Sequence, residues 1–297
     1  MKVFSSERFS IPLPKNHKFP MMKYKKLRDL VTSDKRFELV EAHPIDLDVL
    51  KSVHDENYVM KVVKGGLTPR EIQKLGFPWS VNLVNRAMYS VGSTLATVRA
   101  AVEDRAACSL AGGTHHASFA QGSGFCVFND IAVACYVILK QYSDVNIVVI
   151  DTDVHQGDGT AMMLSHCSRV TTVSIHANSN FPPHKRCSDL DVFLPNMVND
   201  IDYLEIFQET LLDMLNTIRP ELIIFVSGAD IYQGDRLGRL TISKEAIEIR
   251  DKVLFRHAAK FGSNVATLMA GGYATDLNDI VDIHFNTVKQ AYKFWSS

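Results

Sequence analysis

The sequence predicts an α/β fold: a single domain whose parallel β-sheet is flanked by helices on both faces. Two observations lead there. Short apolar runs of strand length alternate with stretches of helical periodicity. No linker rich in Gly, Pro or Ser, no internal repeat and no low-complexity tract interrupts that alternation, so one domain over residues 1–297 is expected. With 46% hydrophobic and 22% charged residues, the chain has the composition of a globular protein with a large core.

The elements follow in order. The start, "MKVFSSERFSIPLPK", lacks the apolar core of a signal peptide. The Pro- and Lys-rich "PLPKNHKFPMMKYKKLR" reads either as a basic rim to a pocket or, preferably, as a solvated connection into a short helix. "SLAGG" closes a strand, and a helix over 129–141 follows. "NIVVID" and "VTTVSI" are strands, then come a helix over 203–218, the strand "ELIIFVS" and a helix over 243–261. The strand "NVATLMAGG" and a C-terminal helix from about Leu277 complete the pattern.

Bulk properties exclude several function classes. A formal charge of −1 and a pI near 6.8 lack the basic excess of a nucleic-acid binder. No apolar run approaches the ~18–20 residues that span a bilayer. The cysteines Cys108, Cys126, Cys135, Cys167 and Cys187 are odd in number and contain no CxxC spacing, which argues against a disulfide framework or a zinc knuckle. A reducing, intracellular and specifically cytoplasmic setting is therefore expected.

The chemistry gathers at strand ends. "VVIDTDVHQGDGTA" closes a buried strand with Asp151, Asp153, His155 and Asp158 where a bland polar loop would suffice. In an extended chain Asp151, Asp153 and His155 would share a face. Converging carboxylates around an imidazole are costly unless a cation or a reaction requires them. Three further segments end in the same way: His115 and His116 in "GGTHH", Asp230 in "SGAD" and Tyr273 in "AGGY". In open parallel α/β sheets ligands bind outside the carboxyl ends of the strands, so the four segments are expected to meet.

Asp153, His155 and Asp230 would supply three ligands and leave a fourth position open, as catalytic zinc sites do. Ligand type alone leaves Fe²⁺, Co²⁺ and Mn²⁺ open. One histidine of the pair could take a proton from water and the other donate to the leaving group. Asp151 and Asp158 are candidates to fix the histidine tautomers. Tyr273 could present its hydroxyl to a carbonyl and to the oxyanion formed there. Taken singly, each residue has a bland reading as a helix cap, turn former or packing residue.

At these residues the chain resembles the zinc-dependent histone deacetylase family, which shares its fold with the arginases. The resemblance lies in "AGGTHHASFAQGSGFCVFND", "VVIDTDVHQGDGTA", "VTTVSIH", "FVSGADIYQGDRLGRLTIS" and "LMAGGY", ordered over 109–273, with "VHDENYV" over 53–59 upstream. Gln156 after His155 and the "GDRLGRLTIS" run resemble the class IV branch. The resemblance implies an arginase/deacetylase-like fold, and zinc on Asp153, His155 and Asp230. It makes His116 the general base and acid, His115 an electrostatic helper paired with Asp151, and Tyr273 the group that polarises the amide carbonyl. It puts Gly124 and Phe125 in the channel wall, faced by Phe181, and a structural potassium on Asp151, Asp153, His155, Ser174 and Ile175. It implies an acylated lysine, in a peptide or protein, as substrate; small acyl-amides such as acetylpolyamines are the alternative, with an acidic rim residue as the feature to look for. Class IV resemblance adds long fatty acyl chains to acetyl. Neither nucleic acid nor membrane is implied as a partner.

Two departures stand out. "KLGFPWSVNLVNR" offers no Asp where class I relatives grip the substrate backbone. The chain also ends soon after Tyr273, so a stand-alone enzyme is expected. Against the two-manganese arginase branch, Gly157 and Tyr232 stand where extra bridging carboxylates would be needed. Met162 in "GDGTAM" breaks a dinucleotide fingerprint. A metal-containing binding module without activity is the non-enzymatic alternative.

Overall fold

The structure, a computed structural model, describes residues 1–297. Its strands are β1 (Lys2–Ser5), β2 (Glu38–Glu41), β3 (Ala106–Ser109), β4 (Ile147–Asp151), β5 (Val170–Ala177), β6 (Leu190–Leu194), β7 (Leu222–Ser227) and β8 (Asn264–Met269). The helices are α1 (Met22–Ser33), α2 (Leu47–Lys51), α3 (Glu56–Lys64), α4 (Pro69–Leu75), α5 (Val81–Asp104), α6 (Asp130–Gln141), α7 (Asp158–Leu164), α8 (Asp200–Ile218), α9 (Lys244–Phe261) and α10 (Leu277–Trp295). All strand pairs are parallel, in the order β2-β1-β3-β8-β7-β4-β5-β6.

Strand periodicity splits the core in two. Val148 and Ile150 of β4, with Ile223 and Phe225 of β7, pack on one face against Tyr203 and Phe207 of α8, Leu254 of α9 and Val288 of α10. Their alternates Ile147, Val149, Leu222 and Ile224 pack on the other face against Val62 of α3, Leu95 and Val98 of α5 and Ile131 of α6. Both faces are covered, which is why these strands read as continuous apolar runs.

The boundaries sharpen the expected ones through caps. Asn129 and Ser243 lie just outside their helices and accept hydrogen bonds from Ala132 and Ala246 amides. α8 begins before residue 203 because Asn199 caps it. Several elements have no counterpart in the sequence reading: β1, β2, β6 and the helices α2 to α5 and α7. The Lys-rich N-terminal connection does lead into a helix, α1, yet it is not simply solvated. Lys23 is buried, its ammonium donating to the Ala270 carbonyl (3.1 Å) and lying over the Tyr24 and Tyr273 rings. No helix is long and apolar enough to cross a membrane.

The order places β3, β8, β7 and β4 side by side, and these are the strands that precede the four polar segments. Register keeps their ends level: Ser109 pairs with Leu268, Met269 with Ser227, and Val226 with Asp151.

Candidate active site

After β3 the chain turns through Gly112 and Gly113, both at positive φ, and this lets adjacent histidines face one cavity. The His115 and His116 ring centroids are 4.1 Å apart. Each ring has its own carboxylate. His115 Nδ1 lies 2.7 Å from Asp151 Oδ2, and His116 Nδ1 lies 2.7 Å from Asp158 Oδ1. The turn is held from behind by Asn129, whose Nδ2 donates to the Ala117 carbonyl (3.0 Å), and by the Thr160 amide, which donates to the His115 carbonyl (3.0 Å). Asn129 is itself fixed by His54, whose Nε2 accepts the Asn129 amide (3.0 Å).

The two rings differ electrically. Burial opposes charge on both. On His115, Asp151 and Asp153 outweigh burial and raise the pKa to about 9. On His116, burial and the neighbouring His115 win over Asp158 and lower it to about 4. His116 also lines the outer cleft, whereas His115 lies behind it.

The acid run does not stay extended, contrary to the shared-face expectation: β4 ends at Asp151, and the chain then turns. Asp151 accepts the Asp153 amide (3.0 Å) and Asp153 accepts the His155 amide (3.0 Å), each carboxylate folding the chain back two residues on. Those turns bring Asp153 and His155 toward Asp230, which follows β7. One ligand atom from each of the three lies within 4.8 Å of the others. His155 Nδ1 is 2.9 Å from Asp153 Oδ1 and 3.2 Å from Asp230 Oδ2.

These residues fit a metal ion. Asp153 and Asp230 are fully buried and pair with no Lys or Arg; their ionic neighbours are the histidines alone. Asp230 Oδ1 accepts the Val154 amide (3.0 Å), but Oδ2 has no well-directed donor. Burial and the Asp153 charge push the Asp230 carboxyl up, which is the expected behaviour of two acids competing for one cation. Gly271 leaves the cradle open: a Cβ there would fall onto both carboxylates. Its amide donates to Asp153 Oδ2 (2.8 Å).

Tyr273 is carried by the loop after β8, its amide held by Asp235 Oδ2 (2.6 Å). Its ring centroid lies 6.4 Å from that of His155 and 6.0 Å from that of Phe125. Phe181 stands edge-on to His116 at 4.8 Å. Gly124, Phe125, Phe181, His116, His155 and Tyr273 thus surround one cleft of about 310 Å³. Phe125 itself sits at φ +67°, a conformation that costs an L-residue about 1–3 kcal/mol and concentrates at functional sites. Of the positions expected for potassium, Asp151 and Ser174 are register partners, and Ser174 Oγ lies 3.0 Å from His176 Nδ1.

Sequence reasoning missed several supports. Arg250 of α9 is fully buried beside Asp251 and donates to the Gly228 carbonyl (3.1 Å), Thr152 Oγ1 (3.1 Å) and Ser227 Oγ (2.8 Å). One guanidinium therefore ties together the turns that carry Asp153 and Asp230. Gln156 donates to the Arg186 carbonyl (2.6 Å) and Asp191 Oδ1 (2.7 Å) and accepts the Arg186 amide (2.8 Å), anchoring the loop that bears Phe181.

The class defined here is a doubly covered parallel α/β sheet that carries paired histidines, acids and a tyrosine at its carboxyl edge. Residues 17–288 match the histone deacetylase domain. The chain belongs to the histone deacetylase family and is a deacetylase-type hydrolase. It is 38% identical over 276 residues to an uncharacterized protein of Picosynechococcus sp., covering 92% of both chains. It is 29% identical to Histone deacetylase 2 of Arabidopsis thaliana, covering 88% of this chain and 70% of that one. The crystal structure of an HDAC homolog complexed with SAHA superposes with a TM-score of 0.82 at 21% identity, over 98% of this chain and 83% of that one, so the fold is the arginase/deacetylase-like one.

Proposed function

We propose that this chain is a zinc-dependent, cytoplasmic amide hydrolase, one catalytic domain, that removes acetyl or longer fatty acyl groups from lysine side chains of peptides and proteins. The observation that supports it best is the meeting of Asp153, His155 and Asp230 with two histidine–carboxylate pairs and Tyr273 at one aromatic-walled cleft. An aromatic wall suits the alkyl arm of an acylated lysine, which is neutral and extended.

Zinc held by Asp153, His155 and Asp230 would supply Lewis acidity to the amide carbonyl and lower the pKa of the attacking water. His116 donates Nδ1–H to Asp158, which leaves Nε2 with its lone pair available to take a proton from that water and return it to the departing amine. His115, held positive by Asp151, stabilises negative charge as it develops nearby. The Tyr273 hydroxyl, kept protonated by burial, donates to the carbonyl oxygen and more strongly to the oxyanion. Potassium at Asp151, Asp153, His155, Ser174 and Ile175, and membership of the class IV branch through Gln156 and "GDRLGRLTIS", belong to the same reading.

The test is release of acyl groups from one peptide carrying lysine acylated with chains from acetyl to myristoyl, with and without a chelator. Chelator-sensitive release is expected, and the chain-length profile gives the acyl preference. No release from any peptide overturns the lysine reading in favour of small acyl-amides or an inactive binding module.

A further inference from the structure

Histidines apart, the charge lining the cleft is a single cation, and further cations stand near it. Over the whole chain, basic and acidic residues balance at 32 and 33, so an excess at one place is local. Apart from the histidines, Arg239 is the one charged side chain lining the cleft, and it is exposed. Phe181 also borders a second hollow of about 300 Å³, lined by Lys74, His184 and Arg186 with Asp158 as its single carboxylate. That carboxylate is already engaged by His116. On the Tyr273 side, the Arg236 guanidinium donates to the Tyr273 carbonyl (2.8 Å) and the Lys18 carbonyl (3.2 Å). Lys74, Arg186, Arg236 and Arg239 are all exposed, and none forms an ion pair with a carboxylate.

Arg239 at the cleft, Lys74 and Arg186 in the adjoining hollow and Arg236 against the backbone of Tyr273 favour negative charge on whatever is presented there. Acylation neutralises the lysine that enters, so selection acts on the residues flanking it. We propose that this rim recognises acyl-lysine within acidic sequence, with Arg239 as the specificity-determining residue that meets a substrate carboxylate at the mouth, and that it disfavours acylated polyamines, whose remaining amines are cationic. This rests on the lysine-deacylase reading above. Exposed ion pairs contribute individually little, so the selection comes from several contacts acting together and weakens with salt.

The experiment compares kcat/KM for three peptides with the same acyl-lysine, flanked by Asp and Glu, by Gln and Asn, or by Lys and Arg, beside an acylated polyamine. The acidic peptide should exceed the basic one by roughly tenfold at low ionic strength, narrowing to about twofold in ~1 M salt, where the screening length is near 3 Å. Arg239→Glu should bring the acidic and basic peptides to within about twofold of each other. Arg239→Gln, a milder change at an exposed position, should shrink the preference by about half, in line with the loss of one rim contact among several. Equal rates for the acidic and basic peptides, or an Arg239→Glu protein with intact zinc content and an undiminished preference, would overturn the inference while leaving lysine deacylation standing. Turnover of the polyamine alone would overturn both.

Discussion

Gly124→Ala tests the proton-transfer role proposed for His116 separately from the proposed zinc site. Gly124 lies at φ +52°, and a Cβ there would be 2.6 Å from His116 Cδ2 and 3.2 Å from Phe181 Cε1. Carbon atoms settle at about 3.5 Å or more, so the imidazole must move by about 1 Å. Phe181 has some room because its side chain is half-exposed, whereas His116 is buried and fixed by Asp158. Misplacing a catalytic group by about 1 Å costs about 100-fold, or ~2.7 kcal/mol of barrier. The left-handed backbone adds about 1–2 kcal/mol of strain for an L-residue, which lowers stability but not the metal content. Gly124 touches none of Asp153, His155 and Asp230 within 4 Å among its nearest neighbours. The expected result is a folded protein with one equivalent of zinc, a kcat down about 100-fold and a slightly lower Tm, read by steady-state kinetics, elemental analysis and thermal melting. A kcat within twofold of the parent would refute the assignment of His116 to proton transfer. Zinc lost in parallel with activity would refute the separation of the two parts of the site.

Tyr273→Phe and His116→Ala should each lower kcat by about 100-fold or more with zinc content unchanged; normal turnover in both removes their roles. Asp230→Ala should lose the metal itself, and full metal retention, measured by elemental analysis, would show that another group is the ligand. His54 offers a pH test: burial lowers its pKa from 6.5 to about 4, and its Nε2 must stay an acceptor for the Asn129 amide. The neutral form is the folded one, so stability is intact above pH 6.5 and falls as the pH drops toward 4. At about 1.4 kcal/mol per pH unit this amounts to ~2 kcal/mol between pH 7 and pH 5. His54→Gln should remove that share of the acid sensitivity, and an unchanged pH slope of unfolding free energy would count against it. Gln156→His cannot reproduce all three hydrogen bonds to Arg186 and Asp191, so the Phe181 loop should loosen; KM should rise by about threefold to tenfold and the Arg186 amide should exchange faster. Unchanged KM and exchange would show that the loop is held by other contacts.

How much of this was legible in the sequence follows from what local pattern can carry. The central strands announce themselves because both faces are buried, and the acids of the candidate site stand out because polar residues directly after such runs need a reason. Edge strands lack that contrast: "ELVE" of β2 has an exposed residue at each end, and β6 keeps only Leu194 buried. Helix α5 is different, since Leu83, Ala87, Val91, Leu95 and Val98 follow helical spacing after the Ser80 cap; its signal was present in the sequence. So was that of Arg250 and Asp251, which occupy the buried stripe between Ile247 and Leu254 at i+3 and i+4, where a charged pair has to be satisfied internally. Charged residues on the apolar face of a helix behind the sheet are thus as informative as acids at a strand end, because each pays desolvation only where something must be held.

What no local pattern contains is the meeting of distant segments. Asp235 reaches the Tyr273 amide across 38 positions, and Lys23 reaches the Ala270 carbonyl across 247. The strand order brings these partners together by returning β8 between β3 and β7, so the N-terminal connection ends up behind the Tyr273 loop. There the Lys23 stem packs on aromatic rings while its ammonium is satisfied by carbonyls at the end of β8. Arg236 and Arg239 come from the segment after Asp230, whereas Lys74 and Arg186, which border the neighbouring hollow, come from two other parts of the chain. The floor of the candidate site is built from strand ends, which sequence patterning exposes, whereas the cations of the proposed selecting rim come from loops far apart in the chain, and their nearness becomes visible only in the fold.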